Sequence, residues 1–260
     1  MIMRQDSKMT PRSEAGSSLA SRVPKASDVL ADMLRGEILA GGLAPGDPFL
    51  SEADIIERYE FSRGTVRESM RLLETEGLIV VKRGPSGGVR VSAPQISTVS
   101  RSLGIYLTTS EATLRDLFAF RKLVEPAAAA AAAEHATSEQ RAALLSATEF
   151  GYDAHASRVD SSVSFHDLVA DASGNHVLSA VLASMHHVLE WQSSAEQLSE
   201  VDMDATGRAH RRIAQAIAGG RVEDASAAML THLEEFESVV GQQNRLNSPI
   251  VPRSRWNRSR

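Results

Sequence analysis

The sequence predicts a mainly α-helical protein in two parts: helices leading into a two-stranded hairpin, then helices alone. Three observations predict it. Apolar residues recur at helical spacing from near Ser27 to Leu73. Two β-branched runs, Leu78 to Val81 and Val89 to Val91, then flank a Gly/Pro/Ser turn. Beyond Pro94 no strand pattern returns as far as residue 243. At 260 residues the chain is long enough for two modest domains, each with its own core.

Residues 1–24 are rich in Ser, Lys, Arg and Pro without periodicity, and are expected to form a disordered tail. Val29, Leu30, Met33, Leu34, Glu37 and Ile38 then mark an apolar stripe with one polar interruption, and "AGGLAPGD" ends that helix with glycines and a Pro-Gly turn. Ser51 suits an N-cap, with Glu52 and Asp54 in the first turn favoured by the helix dipole and Ile55 and Ile56 as the buried face. After a short break at "RYEF", Ser62 caps a helix whose Val66, Met70 and Leu73 face inward. The hairpin follows. Helix, helix–turn–helix and two-stranded wing, over residues 25–93, is the order of a winged helix-turn-helix.

Residues 94–97 read as a linker. Helical segments are then expected at roughly 96–107, 111–135, 138–155, 158–173, 175–197, 203–219 and 221–243, and their short connections predict an all-α antiparallel bundle over 98–243. The alanine run from Ala127 to Ala133 fits this, since alanine is the best helix former and lets neighbouring helices approach closely. Residues 244–260, polar, proline-interrupted and basic at the end, are expected to be a flexible tail.

Composition narrows the function. There are no cysteines, which excludes disulfides, thiolate metal sites and cysteine nucleophiles. No signal peptide or bilayer-spanning stretch is present, so a cytoplasmic protein without a membrane partner is expected. The formal charge of −5 falls wholly on residues 95–260, because residues 1–94 balance to zero. Within 62–90, six basic residues (63, 67, 71, 82, 83 and 90) face only Glu68, Glu74 and Glu76. A local basic face matters more to a polyanion than the overall pI of 5.9.

Arg63, Arg67 and Arg71 step by four residues and so form one stripe on a helix. Arg71 has an alternative, an i±3 pair with Glu68 or Glu74 contributing about 0.2–0.5 kcal/mol. Arg63 and Arg67 lie in the first turns of the second helix of a helix-turn-helix, which meets base edges and phosphates. "GPSGG" at 84–88 matches G-x-S-x-G, but the chain continues as strand rather than helix, so it reads as a hairpin turn and not a nucleophile elbow. No Gly-Lys-Ser/Thr follows to make a phosphate loop. Among the histidines, spacing singles out none; His135, His155, His176, His186 and His187 are expected in solvated or core roles.

"LRGEILAGGLAPGD", "SRGTVRESMRLLETEGLI" and "KRGPSGGVRV" together resemble the GntR family of bacterial transcription regulators. "FAFRKLVEPAAAAAA", "FHDLVADASGNHVL", "AHRRIAQAIAGG" and "AMLTHL" resemble the FCD-type effector domain of its FadR subfamily. The likeness spans about residues 27–240. It implies a ligand-responsive regulator rather than an enzyme, in most such proteins a repressor. Such a protein binds a palindromic double-stranded operator as a homodimer and is released by a small carboxylate, such as a sugar acid or hydroxy acid.

The resemblance also carries residues. Ser62, Arg63, Thr65 and Arg67 occupy the family's DNA-contacting positions: the arginines can fork onto guanine, and the hydroxyls can fix phosphates. Arg83 and Gly84 at the wing tip suit a minor-groove or backbone contact. Ala53 departs from the arginine common at its position, which removes a contact. His166, His210 and His232 fall on the FCD metal positions, suiting Zn or Ni with open positions for an effector. The usual aspartate four residues before the first histidine is Ser162, and Asp160 lies six before. Loss of that carboxylate weakens metal binding, and the alternative is that the histidines hydrogen-bond an anionic effector directly. Arg121 matches the arginine facing the effector cavity, its alternative being an ion pair with Glu125. Asn175 is either a cavity residue or the N-cap of the next helix. Two other readings fit parts of the sequence: a metal-dependent enzyme built on the histidines, which lacks a carboxylate base motif, and a sequence-tolerant architectural DNA binder.

Overall fold

The structure is a computed structural model describing residues 24–82, 87–149, 158–189, 200–252 and 256. It divides into two compact units, residues 1–93 and 94–260.

In the first unit, α1 (Ala26–Ala40), α2 (Glu52–Tyr59) and α3 (Arg63–Thr75) precede the strands β1 (Ile79–Lys82) and β2 (Gly88–Val91). Leu30, Leu34 and Ile38 repeat every four residues on α1 and are buried with Ile55, Val66, Met70 and Leu73. Fully burying each such side chain stabilises by about 1.5–3 kcal/mol. Val29 and Met33 lie on the edge of the stripe and stay exposed, so the buried stripe is narrower than the sequence pattern. Ser51 and Ser62 cap α2 and α3, each accepting from the backbone N–H three residues on. At the far end of α3, Gly77 takes φ +77°, and the N–H groups of Gly77 and Leu78 return to the carbonyls of Glu74 and Leu73. A left-handed glycine ends the helix cleanly and turns the chain into β1.

The strands pair antiparallel, Ile79 opposite Val91 and Lys82 opposite Gly88. Val89 and Val91 point into the core, with Arg90 between them on the other face. A third segment joins this edge: Gly46 and Phe49 donate to the carbonyls of Val91 and Val89, and Val91 donates to Asp47. Proline at 48 hid this from the strand pattern.

The second unit contains α4 (Ile96–Thr109), α5 (Leu114–His135), α6 (Ser138–Glu149), α7 (Arg158–Ala172), α8 (His176–Leu189), α9 (Glu200–Ala218) and α10 (Val222–Gln242). Helix α5 is central, packing against α7, α9 and α10. Ala128, Ala129, Ala132 and Ala133 are buried along it, and Phe165, Val169, Ile213, Ile217, Met229 and Leu233 close around that smooth seam. Arg141 ties the ends of two helices together. It donates to the carbonyls of Ala133 and Ala136 at the end of α5, and to Ile217 and Ala218 at the end of α9.

The expectation of a flexible tail from residue 244 fails for the segment that follows α10. Ile250 and Val251 are 2% and 1% exposed, buried against Leu114, Leu117, Phe118 and Val240. The backbone N–H groups of Leu114 and Arg115, unpaired within a helix start, donate to Ser248 and Leu246. Two apolar residues and an unsatisfied helix N-terminus are enough to dock an otherwise polar segment. Trp256 Nε1 also donates to Thr108 Oγ1 at 3.1 Å. Among the described residues no helix is long and apolar enough to cross a membrane.

Candidate functional site

The expected functional residues fall in two places, one in each unit. On α3, Val66, Met70 and Leu73 are buried, which turns Arg63, Arg67 and Arg71 outward as an exposed basic stripe. Arg71 forms no ion pair with Glu68 or Glu74. Arg67 is 65% exposed, and its Nε lies 3.5 Å from Glu52 Oε1 in the first turn of α2. Such an exposed pair is worth little in water and leaves the guanidinium available. Ser62 Oγ accepts the Thr65 N–H at 3.2 Å and meets Thr65 Oγ1 at 2.9 Å, so both hydroxyls stand at the helix N-terminus, where anions are favoured. Ala53 is exposed in the first turn of α2. Arg83 and Gly84 lie outside the described residues.

The second place is buried. His166 on α7, His210 on α9 and His232 on α10 converge: His232 Nε2 is 3.2 Å from His210 Nε2 and 3.3 Å from His166 Nε2. Phe165 stacks on the His210 ring at 4.2 Å, which fixes that imidazole's plane. All three rings are buried. Ser162 lies on α7 one turn before His166, but its side chain and that of Asp160 lie outside the described residues.

Behind His166 is a charged network. Arg121 is 4% exposed, and its Nε donates to Glu125 Oε1 at 2.5 Å. Glu125 Oε2 lies 2.6 Å from His166 Nδ1. Its Oε1 also meets His186 Nε2 at 3.3 Å, and His186 Nδ1 is 2.6 Å from Asp167. Of the two sequence alternatives for Arg121, the ion pair with Glu125 is present. Asn175 is not part of the cluster: it is exposed, and its Oδ1 accepts the N–H groups of Val177 and Leu178 as the cap of α8. His135 and His176 are exposed, and His155 lies outside the described residues.

Burial sets the electrostatics. It pushes the Glu125 carboxyl up, but Arg121, His166 and His186 together outweigh it and hold the group well below the ordinary carboxylate range. Burial drives His210 and His232 well below the usual imidazole value, helped by neighbouring His166 and Arg121. His166 is lowered by burial against the opposing pull of Glu125. His186 differs: burial lowers it, but hydrogen bonds to Asp167 and Glu125 win and raise it. The cluster thus pairs neutral, electron-donating imidazoles with an ionised carboxylate. His210 and His232 could hold a cation together with His166, and Glu125 with His166 and His186 forms a second such group sharing one ring.

Sequence reasoning missed His186 and weighed Glu125 only as a partner of Arg121. The one signal was the i, i+4 spacing of Arg121 and Glu125; nothing local marked His186.

Residues 26–91 match the bacterial regulatory proteins of the gntR family, and residues 116–235 match the FCD domain. The HTH-type transcriptional regulator LutR of Bacillus subtilis (strain 168) is 30% identical over 216 residues, 77% of this chain and 94% of that protein. The HTH-type transcriptional repressor NanR of Enterobacter sp. (strain 638) is 27% identical over 225 residues, 82% of this chain and 85% of the relative. Among solved structures, a Streptococcus agalactiae GntR protein aligns with a TM-score of 0.61 at 26% identity, covering 82% of this chain and 99% of the other.

Proposed function

Starting from the fact that the chain belongs to the gntR family of bacterial regulatory proteins and carries an FCD domain, we propose that it represses a catabolic operon. It binds a palindromic operator as a homodimer and lets go when a small carboxylate enters the helical unit. The DNA-binding function is that of the family; the enzyme alternative finds no support among regulators of this kind. The name of the NanR relative favours repression as the sign.

One observation carries the reading: two chemically unlike sites lie in separate units, an exposed basic stripe on α3 and a buried histidine cluster fed by α5, α7, α9 and α10. The first suits a polyanion. Arg63 and Arg67 read base edges, while Ser62, Thr65, Arg83 and Gly84 set register on phosphates and the minor groove. The second suits a small ligand.

The donor set fits a divalent metal, Zn or Ni. Zinc binds histidine nitrogen at about 2.0–2.1 Å, so tetrahedral ligand atoms stand roughly 3.3–3.4 Å apart. The two Nε2 separations of 3.2 and 3.3 Å agree. His166, His210 and His232 would hold it; when bound, it supplies positive charge and open positions for an anionic oxygen. Arg121 gives the carboxylate effector a second recognition group.

The test is a thermal melt of the protein against a panel of small carboxylates, before and after chelation. A ligand at a hundredfold excess over its Kd adds about 2.7 kcal/mol of apparent stability. One acid that shifts the melt, and also lowers affinity for an operator enriched from random duplexes, supports the reading. Operator binding that no acid alters refutes ligand release. Equal affinity for operator and random DNA identifies an architectural binder instead.

A further inference from the structure

Three adjacent histidines do not by themselves make three donors. A neutral imidazole offers a lone pair at only one nitrogen, and its tautomer decides which. At His166 the neighbours make that choice. Nδ1 lies 2.6 Å from Glu125 Oε2, and an ionised carboxylate only accepts, so Nδ1 carries the proton and Nε2 is bare. The Arg121 Nη2 is almost equidistant from the two ring nitrogens, 3.4 Å from Nε2 and 3.5 Å from Nδ1, so the choice between them is left to Glu125. Nε2 is also the atom that faces His232.

Glu125 is itself held from several sides. Arg121 Nε at 2.5 Å and His186 Nε2 at 3.3 Å share its other oxygen, and Asp167 anchors the far side of His186. The carboxylate sits in the middle of α5 at 1% exposure, with no room to swing into water.

We infer that Glu125 is the positioning residue of the histidine centre, fixing His166 in its Nδ1–H form so that Nε2 is presented toward His210 and His232. The same carboxylate keeps Arg121 engaged inside the chain. One negative charge therefore serves two donors, the neutral His166 ring through its Nδ1–H and the Arg121 guanidinium. Whatever draws Glu125 toward His166 leaves Arg121 less neutralised and readier for an incoming carboxylate. A cation on His166 Nε2 and an anion on Arg121 then favour each other, and the coupling is reciprocal.

The consequence for metal rests on the proposed metal reading; the tautomer does not, and the experiment separates them. In the full-length chelated protein, nitrogen-detected spectra of ¹⁵N-histidine, with His166 assigned from His166→Gln, should show Nδ1 protonated and Nε2 bare. A protonated Nε2 overturns the inference, whether or not any variant folds. Zinc affinity by chelator competition then compares the wild type with Glu125→Met and Glu125→Gln. Loss of such a partner typically costs 10–100-fold in affinity, expected here for Glu125→Met, with Glu125→Gln losing less because its amide oxygen still accepts. Equal zinc affinity in all three overturns the inference and leaves the metal reading standing. No zinc binding by the wild type refutes the metal reading, and the tautomer alone then decides.

Discussion

Arg67 and Arg121 are the same side chain under opposite rules. Arg67 stands in solvent on α3, 3.5 Å from Glu52, and its charge costs almost nothing to keep. Arg121 lies in the core of the helical unit and survives there only because Glu125 is 2.5 Å away. A charge left in water waits for an external partner, and one taken out of water must bring its partner with it. The first arrangement suits a large polyanion that supplies its own field. The second suits a small ligand that can enter only by exchange with an internal group.

Arg121→Met should be severely destabilising. It leaves Glu125 buried with its main cation gone, and the expected loss, read by urea unfolding, is about 3 kcal/mol or more. Arg67→Ala should leave unfolding within about 0.5 kcal/mol. Its effect belongs to DNA: operator affinity measured by anisotropy should drop by about 1–3 kcal/mol while random-duplex affinity changes far less.

Mild acidity acts on the buried cluster through its histidines. His210 and His232 sit well below their ordinary value of 6.5 in the folded chain, so below that pH the unfolded chain binds more protons and stability falls with falling pH. His166 is lowered too, and His186, raised, opposes the other three as one group. In chelated protein the expected loss between pH 6.5 and 5.5 is on the order of 1 kcal/mol, read as a lowered melting point. His210→Gln should flatten that slope. The smallest effect is expected at Arg71→Ala: no change in the melt, and weaker binding to all duplexes alike, with the salt slope reduced by about one.

Much of the fold is legible because its signals are local. Ser62 announces α3, Leu30, Leu34 and Ile38 repeat on α1, and Val89 and Val91 alternate with Arg90. The stripe of Arg63, Arg67 and Arg71 follows from the same periodicity, since Val66, Met70 and Leu73 fix the opposite face. The histidine centre is legible only through family likeness: His166, His210 and His232 come from three helices, and no spacing predicts that they meet. Glu125 and His186 are 61 residues apart, so their contact exists only once α5, α7 and α8 have packed. Asn175 offered two roles with equal local support, and the free N–H groups at the start of α8 chose the cap. At Ile250 and Val251 the surrounding polar and proline residues masked a two-residue anchor.

That anchor bears on the order in which the molecule is made. The unit carrying α3 is complete by Ala93 and can fold as soon as it clears the ribosome. The start of α5 must wait for Ile250 and Val251, more than a hundred residues later, before Leu114 and Phe118 are covered. During synthesis, then, the unit that carries the basic stripe is complete well before the helical unit can close.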